Sequence, residues 1–195
     1  MIRFLTAGES HGRGLAIIVE GMPAGLPLNE EYIGIQMSRR QLGYGRGGRM
    51  QIEKDWAYIM SGVRHGTTLG SPIAMTIDNK DWGNWREVMS VEPSEGEVTR
   101  ITRIRPGHAD LAGVQKFDFD DIRNVLERSS ARETAMRVAL ASVCRKLLKE
   151  LGIEVGSRVT QIYNVKDKCV IPADISPESL IEKVDQSPVR CLDKN

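Results

Sequence analysis

Three absences narrow the class of this chain before any motif is considered. Cysteine is scarce, and the three that occur, Cys144, Cys169 and Cys191, form no CxxC pair. Neither a disulfide framework nor a thiolate metal site is therefore supported. Net charge is nearly absent, at +1, so no global field points to nucleic acid or an anionic membrane, and any basic site must be local. No apolar run approaches the roughly 18 residues of a membrane span.

The remaining composition is that of an ordinary globular protein. Hydrophobic residues make up 41% and charged residues 27% of the chain. This composition allows a single hydrophobic core that needs no disulfide or metal site to stabilise it. The mostly apolar stretch at the N-terminus, residues 1–5, is too short for a signal peptide, so we expect a protein of the reducing cytoplasm. Residues 1–195 are predicted to form a single domain or the N-terminal fragment of a larger one. The polar stretch 79–100 is predicted to be a mobile excursion.

Hydrophobic periodicity predicts a mixture of strands and helices. Alternating apolar residues predict strands over 2–6, 15–20, 57–63 and 72–78, and one or two more within 154–165. Helices are predicted from Asn29 as N-cap to about residue 41, with Ile33 and Met37 facing inward, over 118–127 with Asp118 as N-cap, and over 176–184.

The clearest helix start lies at residues 128–135, RSSARETA. Ser130 and Glu133 stand at capping-box spacing, and Gly152 is a predicted stop. The apolar face of this helix is predicted to comprise Ala135, Val138, Ala139, Val143, Leu147 and Leu151. Two hydroxyls and two guanidiniums, those of Arg128 and Arg132, would crowd a helix N-terminus suited to an anion. An ordinary capped helix with solvated arginines is the competing interpretation.

Two of the three histidines stand in glycine-rich settings. His11 lies in GESHG and His108 in RPGHAD, where glycines let a ligand come close. A histidine there can exchange a proton near neutral pH, although a loop histidine that only satisfies local hydrogen bonds is the competing interpretation. His65 is predicted to be structural. No metal site is predicted, since neither histidine has a second ligand at suitable spacing.

A cluster of arginines follows the first predicted helix. Arg39, Arg40, Arg46 and Arg49 fall within eleven residues, with no acidic residue among them. Guanidinium forks match carboxylates and phosphates, so the cluster suits a multiply anionic small molecule. A solvated loop and an RGG-like nucleic-acid contact remain as alternatives, the second weakened by the net charge. The glycine spacing of this segment is a poor dinucleotide fingerprint because it follows a helix.

Four motifs together resemble one family. GESHG, MSRRQLGYGRGGR, RPGHAD and RSSARETAMR, in this order, resemble chorismate synthase, and the resemblance covers nearly the whole chain. It implies an anti 1,4-elimination of phosphate from 5-enolpyruvylshikimate-3-phosphate to give chorismate, the last step of the shikimate pathway. The family uses reduced FMN although the reaction has no net redox change. Reduced flavin is thought to lend an electron to the substrate, and NADPH is a possible flavin reductant.

The resemblance also implies roles for individual residues. His11 would protonate the departing phosphate, and His108 would protonate or stabilise the reduced flavin. Substrate anions would be bound by Ser10, Arg39, Arg46, Arg49, Arg105 and Arg132. FMN would be contacted by Arg128, Ser129 and Ser130, and NADP by Arg40 and Arg46.

The resemblance also implies an α+β fold in which central helices lie between two antiparallel sheets, in chains roughly twice this length that form homotetramers. About half of that fold is therefore expected here, without turnover by this chain alone and with an exposed apolar face that favours self-association. A non-catalytic relative that binds anionic metabolites or another subunit is the alternative. Neither a nucleic-acid partner nor a membrane is expected.

Overall fold

The computed structural model describes residues 1–45, 53–94, 96 and 99–193, and these form an α+β fold. Nine strands lie within these ranges: β1 (Arg3–Gly8), β2 (Gly14–Glu20), β3 (Ala24–Pro27), β4 (Tyr58–Ser61), β5 (Val63–Arg64), β6 (Thr67–Leu69), β7 (Ile73–Asp78), β8 (Gln161–Ile162) and β9 (Val165–Lys166). Five α-helices are described: α1 (Glu30–Arg40), α2 (Asp110–Phe117), α3 (Arg123–Leu126), α4 (Thr134–Glu150) and α5 (Pro177–Asp185). Short 3-10 turns span Lys80–Asn84 and Ala131–Glu133.

A four-stranded antiparallel sheet, in the order β1-β2-β7-β4, forms the base of the fold. Successive side chains of a strand point to opposite faces, so an alternating pattern gives one apolar face. The buried members of the two central strands are Leu15, Ile17, Val19, Ile73, Met75 and Ile77. The strands predicted over 2–6, 15–20 and 72–78 are thereby confirmed to within two residues at their ends.

Helices α1 and α4 cover this apolar face. The Asn29 side chain accepts the backbone N–H of Tyr32 and begins α1, while Ile33 and Met37 are fully buried, which confirms the predicted cap and inner face. Helix α4 buries a set of small and flexible side chains, Ala135, Met136, Ala139, Leu140 and Val143. Each large apolar side chain removed from water contributes about 1.5–3 kcal/mol, so this contact stabilises the fold.

Two smaller sheets complete the topology. Strands β3, β6 and β5 form an antiparallel sheet, and β8 pairs with β9 in a short hairpin. The strand predicted over 57–63 is divided between two sheets, since β4 joins the large sheet and β5 the smaller one. Gly62 lies between them with φ +83°, a left-handed conformation that lets the chain pass from one sheet to the other.

The prediction of a helix over 118–127 with Asp118 as its N-cap is wrong. Asp118 has φ 56° and ψ 48° and ends α2, a helix that the sequence pattern did not indicate. Aspartate tolerates this left-handed conformation, which is typical of a residue that follows a helix. Only the four residues of α3 are helical in that span, although Ile122 and Val125 are buried.

The start of the long helix differs from a capping box. Ser130 Oγ accepts the backbone N–H of Arg132, as a cap should, but Glu133 does not bond back to Ser130. Its carboxylate accepts hydrogen bonds from Thr6 Oγ1 at 2.7 Å and Arg137 Nε at 2.8 Å instead. A tertiary partner on β1 has replaced the local one. Leu151 lies beyond the helix end and is exposed, which corrects its predicted place on the buried face.

Cys144 is half-buried and packs against the core. Burial raises the pKa of its thiol. The helix predicted over 176–184 is confirmed by α5, whose N-cap Ser176 accepts the backbone N–H of Ser179. No helix in the described ranges is both long and apolar enough to cross a bilayer.

The second face of the large sheet carries an exposed apolar surface. Leu5, 76% exposed, lies opposite Ile18 in the β1–β2 register, and Tyr58 lies on the same face through its pairing with Thr76. The self-association expected from such a surface stays a prediction. Mobility of 79–100 also stays a prediction, since its first residues form the 3-10 turn and residues 95, 97 and 98 lie outside the described ranges.

The crossing at Gly62, where the chain passes from β4 of the large sheet to β5 of the smaller one, predicts how two glycine substitutions affect stability. Both Gly62 and Gly66 have positive φ, but a Cβ on Gly62 would lie 2.6 Å from the carbonyl oxygen of Pro72, whereas one on Gly66 would meet nothing within 4 Å. Gly66→Ala should lower the free energy of unfolding by about 1–2 kcal/mol through backbone strain. Gly62→Ala should cost about 1–3 kcal/mol more because of the overlap. Urea denaturation measures both, and equal losses would contradict the role assigned to the crossing.

Candidate active site

The turn between β1 and β2 carries the first candidate residues. Gly8 has φ +106°, and a Cβ there would lie 2.8 Å from the Cα of Leu15, so only glycine lets the two strands come together at this turn. Ser10 follows and is buried, with its backbone N–H donating to the carbonyl of Glu127 at 2.9 Å. The end of α3 and the first hairpin therefore meet at Ser10.

His11 is held on two sides. Its Nδ1 lies 2.8 Å from Glu127 Oε2, and its backbone N–H donates to the same oxygen at 3.0 Å. The ring stacks on Trp85 with centroids 3.9 Å apart and an interplanar angle of 26°. His11 thus has a fixed ring plane while remaining 23% exposed at its side chain.

Arg132 is the centre of a buried charge network. Its side chain is 6% exposed, its Nε donates to Asn79 Oδ1 at 3.0 Å, and its Nη1 forms an ion pair with Asp55. Asp55 also pairs with Arg40, whose Nη1 lies 3.2 Å from Oδ2. Buried charges need such partners to offset the loss of hydration.

One nitrogen of Arg132 is not satisfied in this network. Nη2 is buried and has no hydrogen-bond partner among the described residues, although it lies 3.6 Å from Glu53 Oε2. Arg132 lines a cleft of about 170 Å³, together with Ser10, Arg40, Gln41, Glu53, Asp55, Ser130 and Ala131. An N–H donor held out of water has a strong preference for an anionic acceptor.

The cleft brings together four of the predicted site residues, Ser10, Arg40, Ser130 and Arg132. Arg39 lies apart from the cleft: its Nε pairs with Asp185 at 2.6 Å, and it borders a second concavity with Arg40 and Arg190. Arg46 and Arg49 lie outside the described residues. Arg40 borders both concavities, and it also donates to Ala131 O and Thr134 Oγ1 at the start of the helix region.

The residues predicted to contact FMN stand at the same helix start. Arg128 Nη2 donates to Thr6 O at 3.0 Å and to Thr6 Oγ1 at 2.8 Å, so it connects this segment to β1. Ser129 is exposed, and Ser130 caps the turn. The arrangement presents hydroxyls at the N-terminal end of a long helix, a position favourable to anions.

His108 belongs to a second cluster with Arg105 and Asp110. Its Nδ1 contacts Asp110 Oδ1, while Asp110 Oδ2 accepts the backbone N–H of Arg105 at 2.9 Å. Asp110 is completely buried. Burial acts to raise its pKa, but the hydrogen bonds from Arg105 and His108 outweigh burial and hold the pKa below the ordinary value of 3.8.

Nδ1 of each candidate histidine therefore contacts a buried carboxylate. The sequence analysis predicted neither of these carboxylate partners. Asp110 stands two positions after His108 in the motif RPGHAD, so the spacing offered a signal for it. Glu127 lies 116 positions from His11, and no local pattern connects them. Asp55 and Trp85 were missed for the same reason.

Comparison with known proteins gives one consistent result. The family model described as chorismate synthase matches residues 2–195. Chorismate synthase of Enterococcus faecalis is 54% identical over 195 residues, and that of Brevibacillus brevis 53% identical over 196, covering 98% and 99% of this chain. A solved crystal structure of chorismate synthase is similar with TM-score 0.75 and 44% identity, over 98% of this chain and 49% of that chain. The chain spans about half the length of these relatives.

The Asp110 cluster predicts a specific acid sensitivity. Because its pKa is lower in the folded than in the unfolded state, Asp110 adds stability that is fully present above about pH 4 and is lost as the pH falls through the folded-state pKa. Asp110→Asn should therefore reduce the free energy of unfolding most at neutral pH, and the difference from the wild type should shrink below about pH 4. Urea unfolding over a pH series measures this difference.

Asp120→Asn is the matched control. It removes an exposed carboxylate paired with the exposed Arg100, and exposed ion pairs contribute little to stability. A gap between Asp110→Asn and wild type that stays constant down to acid pH would contradict the lowered pKa.

Proposed function

The chain belongs to the chorismate synthase family, and we propose that the protein converts 5-enolpyruvylshikimate-3-phosphate to chorismate and phosphate as the last step of the shikimate pathway. The reaction is an anti 1,4-elimination, which makes the protein a carbon–oxygen lyase acting on phosphates. The observation that carries the proposal is the buried Nη2 of Arg132, an atom without a hydrogen-bond partner among the described residues, on a residue that lines the cleft beside Ser10. A substrate with two carboxylates and a phosphate suits such a donor.

The cleft supports binding of anions at short range. Arg40 and Arg132 bring two guanidiniums to it, although Glu53 and Asp55 balance their charge. An anionic group would bond to Nη2 and would meet the dipole of the helix region that starts at Ser130. We propose that Ser10 and Arg132 bind substrate there, and that Arg39, Arg46, Arg49 and Arg105 bind its other anionic groups.

His11 supports a proton-transfer role. Glu127 holds Nδ1, and Nε2 has no protein partner among the described residues, so Nε2 is the nitrogen available to a ligand. We propose that His11 protonates the leaving phosphate from this atom. His108, held by Asp110 and near the guanidinium of Arg105, is proposed to act at the flavin.

The residues at the helix start fit the anionic phosphate of FMN. Ser129 is exposed, Ser130 is half-buried beside the cleft, and the helix start presents backbone N–H groups. We propose that Arg128, Ser129 and Ser130 hold FMN, with Arg128 as a support through its bonds to Thr6. Bound reduced FMN would supply the electron-donating chemistry that these side chains lack.

The remaining parts of the proposal concern the setting. We propose a homotetramer in the cytoplasm, with NADPH as a possible reductant of the flavin at Arg40 and Arg46. Arg40 is engaged with Asp55, Ala131 and Thr134, so NADP would have to compete for its guanidinium. The balanced charges of the cleft also favour the second candidate, a relative that binds anionic metabolites without turnover.

Anaerobic titration with reduced FMN and 5-enolpyruvylshikimate-3-phosphate separates the two candidates. Chorismate release, followed together with the flavin spectrum, would establish the lyase. Binding of both compounds without product would favour the metabolite-binding relative. Neither binding nor product in this chain, together with turnover by the longer relatives, would place essential residues outside the chain.

Substitution of the histidines tests the roles within an active protein. His11→Ala and His108→Ala should each lower kcat by about 10²-fold or more, the usual contribution of a positioned acid or base. His65→Asn is the control, because His65 is an exposed turn residue with φ 50° that asparagine also tolerates. Unchanged kcat in both alanine variants would show that the two histidines are structural.

A further inference from the structure

Glu127 contacts two adjacent residues of the β1–β2 turn, Ser10 and His11. Its carbonyl accepts the backbone N–H of Ser10, and its Oε2 accepts the backbone N–H of His11 at 3.0 Å and lies 2.8 Å from Nδ1 of the ring. It is 2% exposed, so its carboxylate is shielded from water. Nothing in the proposed reaction uses Glu127 directly.

We propose that Glu127 is a positioning residue for His11, which fixes the ring tautomer and directs Nε2 toward the ligand. The catalytic consequence rests on the proposed function, whereas the tautomer is a property of the chain itself. An ionised carboxylate can only accept hydrogen bonds. Nδ1 of His11 must therefore be the protonated nitrogen in this contact, and Nε2 is the atom that exchanges a proton with a ligand.

The ring is fixed in orientation as well as in tautomer. Trp85 stacks on one face of His11, and the guanidinium of Arg123 lies 5.5 Å from the centre of the Trp85 ring. The contact to Glu127 fixes the rotation of the imidazole within its own plane, and the stack on Trp85 fixes the orientation of that plane. Together they leave Nε2 a single direction, which is the condition for efficient proton transfer to a bound group.

The carboxylate is itself held in place. Oε1 of Glu127 accepts a hydrogen bond from Arg123 Nη1 at 3.2 Å, while Oε2 serves His11. Arg123 precedes Glu127 by four residues, and its charge offsets that of the buried carboxylate. Oε1 therefore fixes the carboxylate of Glu127 through Arg123, and Oε2 fixes His11.

The proposed step is balanced without any atom from Glu127. The Nε2–H bond of the doubly protonated ring breaks, an O–H bond forms on the departing phosphate, and the electron pair of the N–H bond stays on Nε2. Nδ1 remains bonded to its proton and to Glu127 before and after the transfer. Glu127 therefore acts only through His11, and removing it should have no effect on turnover once His11 is gone.

The tautomer can be measured without activity. In protein labelled with ¹⁵N-histidine, at about pH 8.5 where ordinary imidazoles are neutral, long-range ¹H–¹⁵N correlation identifies the protonated nitrogen of each ring. His11 should carry its proton on Nδ1 in the wild type and in Glu127→Gln, whose amide oxygen can still accept. In Glu127→Ala it should shift toward the Nε2–H form that exposed imidazoles such as His65 favour. A neutral wild-type His11 protonated on Nε2 would overturn the proposal. This measurement on the wild type does not depend on whether any variant folds.

A double-mutant cycle tests the catalytic consequence in the active protein. Glu127→Ala should lower kcat by about 10- to 100-fold, less than the loss from removing the acid itself. In a His11→Ala background it should cause no further loss, because its effect passes through the imidazole. Glu127→Gln should retain most of the wild-type kcat. If the losses from the two single variants multiply in the double variant, Glu127 has only a structural role, and the proposal is overturned.

Asp167→Asn provides the matched control. Asp167 is also a carboxylate with a buried side chain that pairs with an arginine, Arg158, and accepts backbone N–H groups, but its partners include no histidine. It should lower thermal stability and leave kcat and the His11 tautomer unchanged. If the protein tested releases no chorismate, the tautomer measurement alone decides the role of Glu127.

Discussion

The packing of α4 on the large sheet is the contact on which the rest of the molecule depends. Ala139 and Val143 are completely buried in one cluster with Ile17 and Met75, and small side chains on the helix let the two layers come close. The helix therefore has one position on the sheet, and so does the segment that leads into it. Ser130 and the network around Arg132 stand beside the β1–β2 turn because hydrophobic packing places them there, before any polar contact is counted.

Local physics accounts for what the sequence could predict. Asn29 and Ser176 cap helices through bonds to residues three positions away, and strand alternation follows from a period of two. Asp118 shows the limit, because aspartate suits both an N-cap and a left-handed turn after a helix. The choice between them depends on whether Asp110–Phe117 forms a helix, which is decided by packing against α3, where the space left by Gly113 accommodates Val125. That contact has no signature in local periodicity.

The candidate site was predictable in its donors and not in its acceptors. The motifs indicated Arg132 and the histidines, but their carboxylate partners come from distant parts of the chain, Asp55 lying 77 positions from Arg132. The consequence is electrostatic. Among the described residues of the cleft, Glu53 and Asp55 balance the charges of Arg40 and Arg132. At that point an incoming anion gains less from net charge than from single directed donors such as Nη2 of Arg132.

A common arrangement links the two histidines. Each has Nδ1 on a carboxylate that is almost or wholly removed from water, Glu127 for His11 and Asp110 for His108. Placing each acid inside the fold prevents solvent from competing for the imidazole, while arginine contacts offset the cost of burying the charge. The two arrangements differ at Nε2: the His108 nitrogen lies 3.3 Å from Arg105 Nη2, whereas no described residue bonds to that of His11. This difference favours His11 as the proton donor to an external group and suits His108 to a site where its ring stays within a protein hydrogen-bond network.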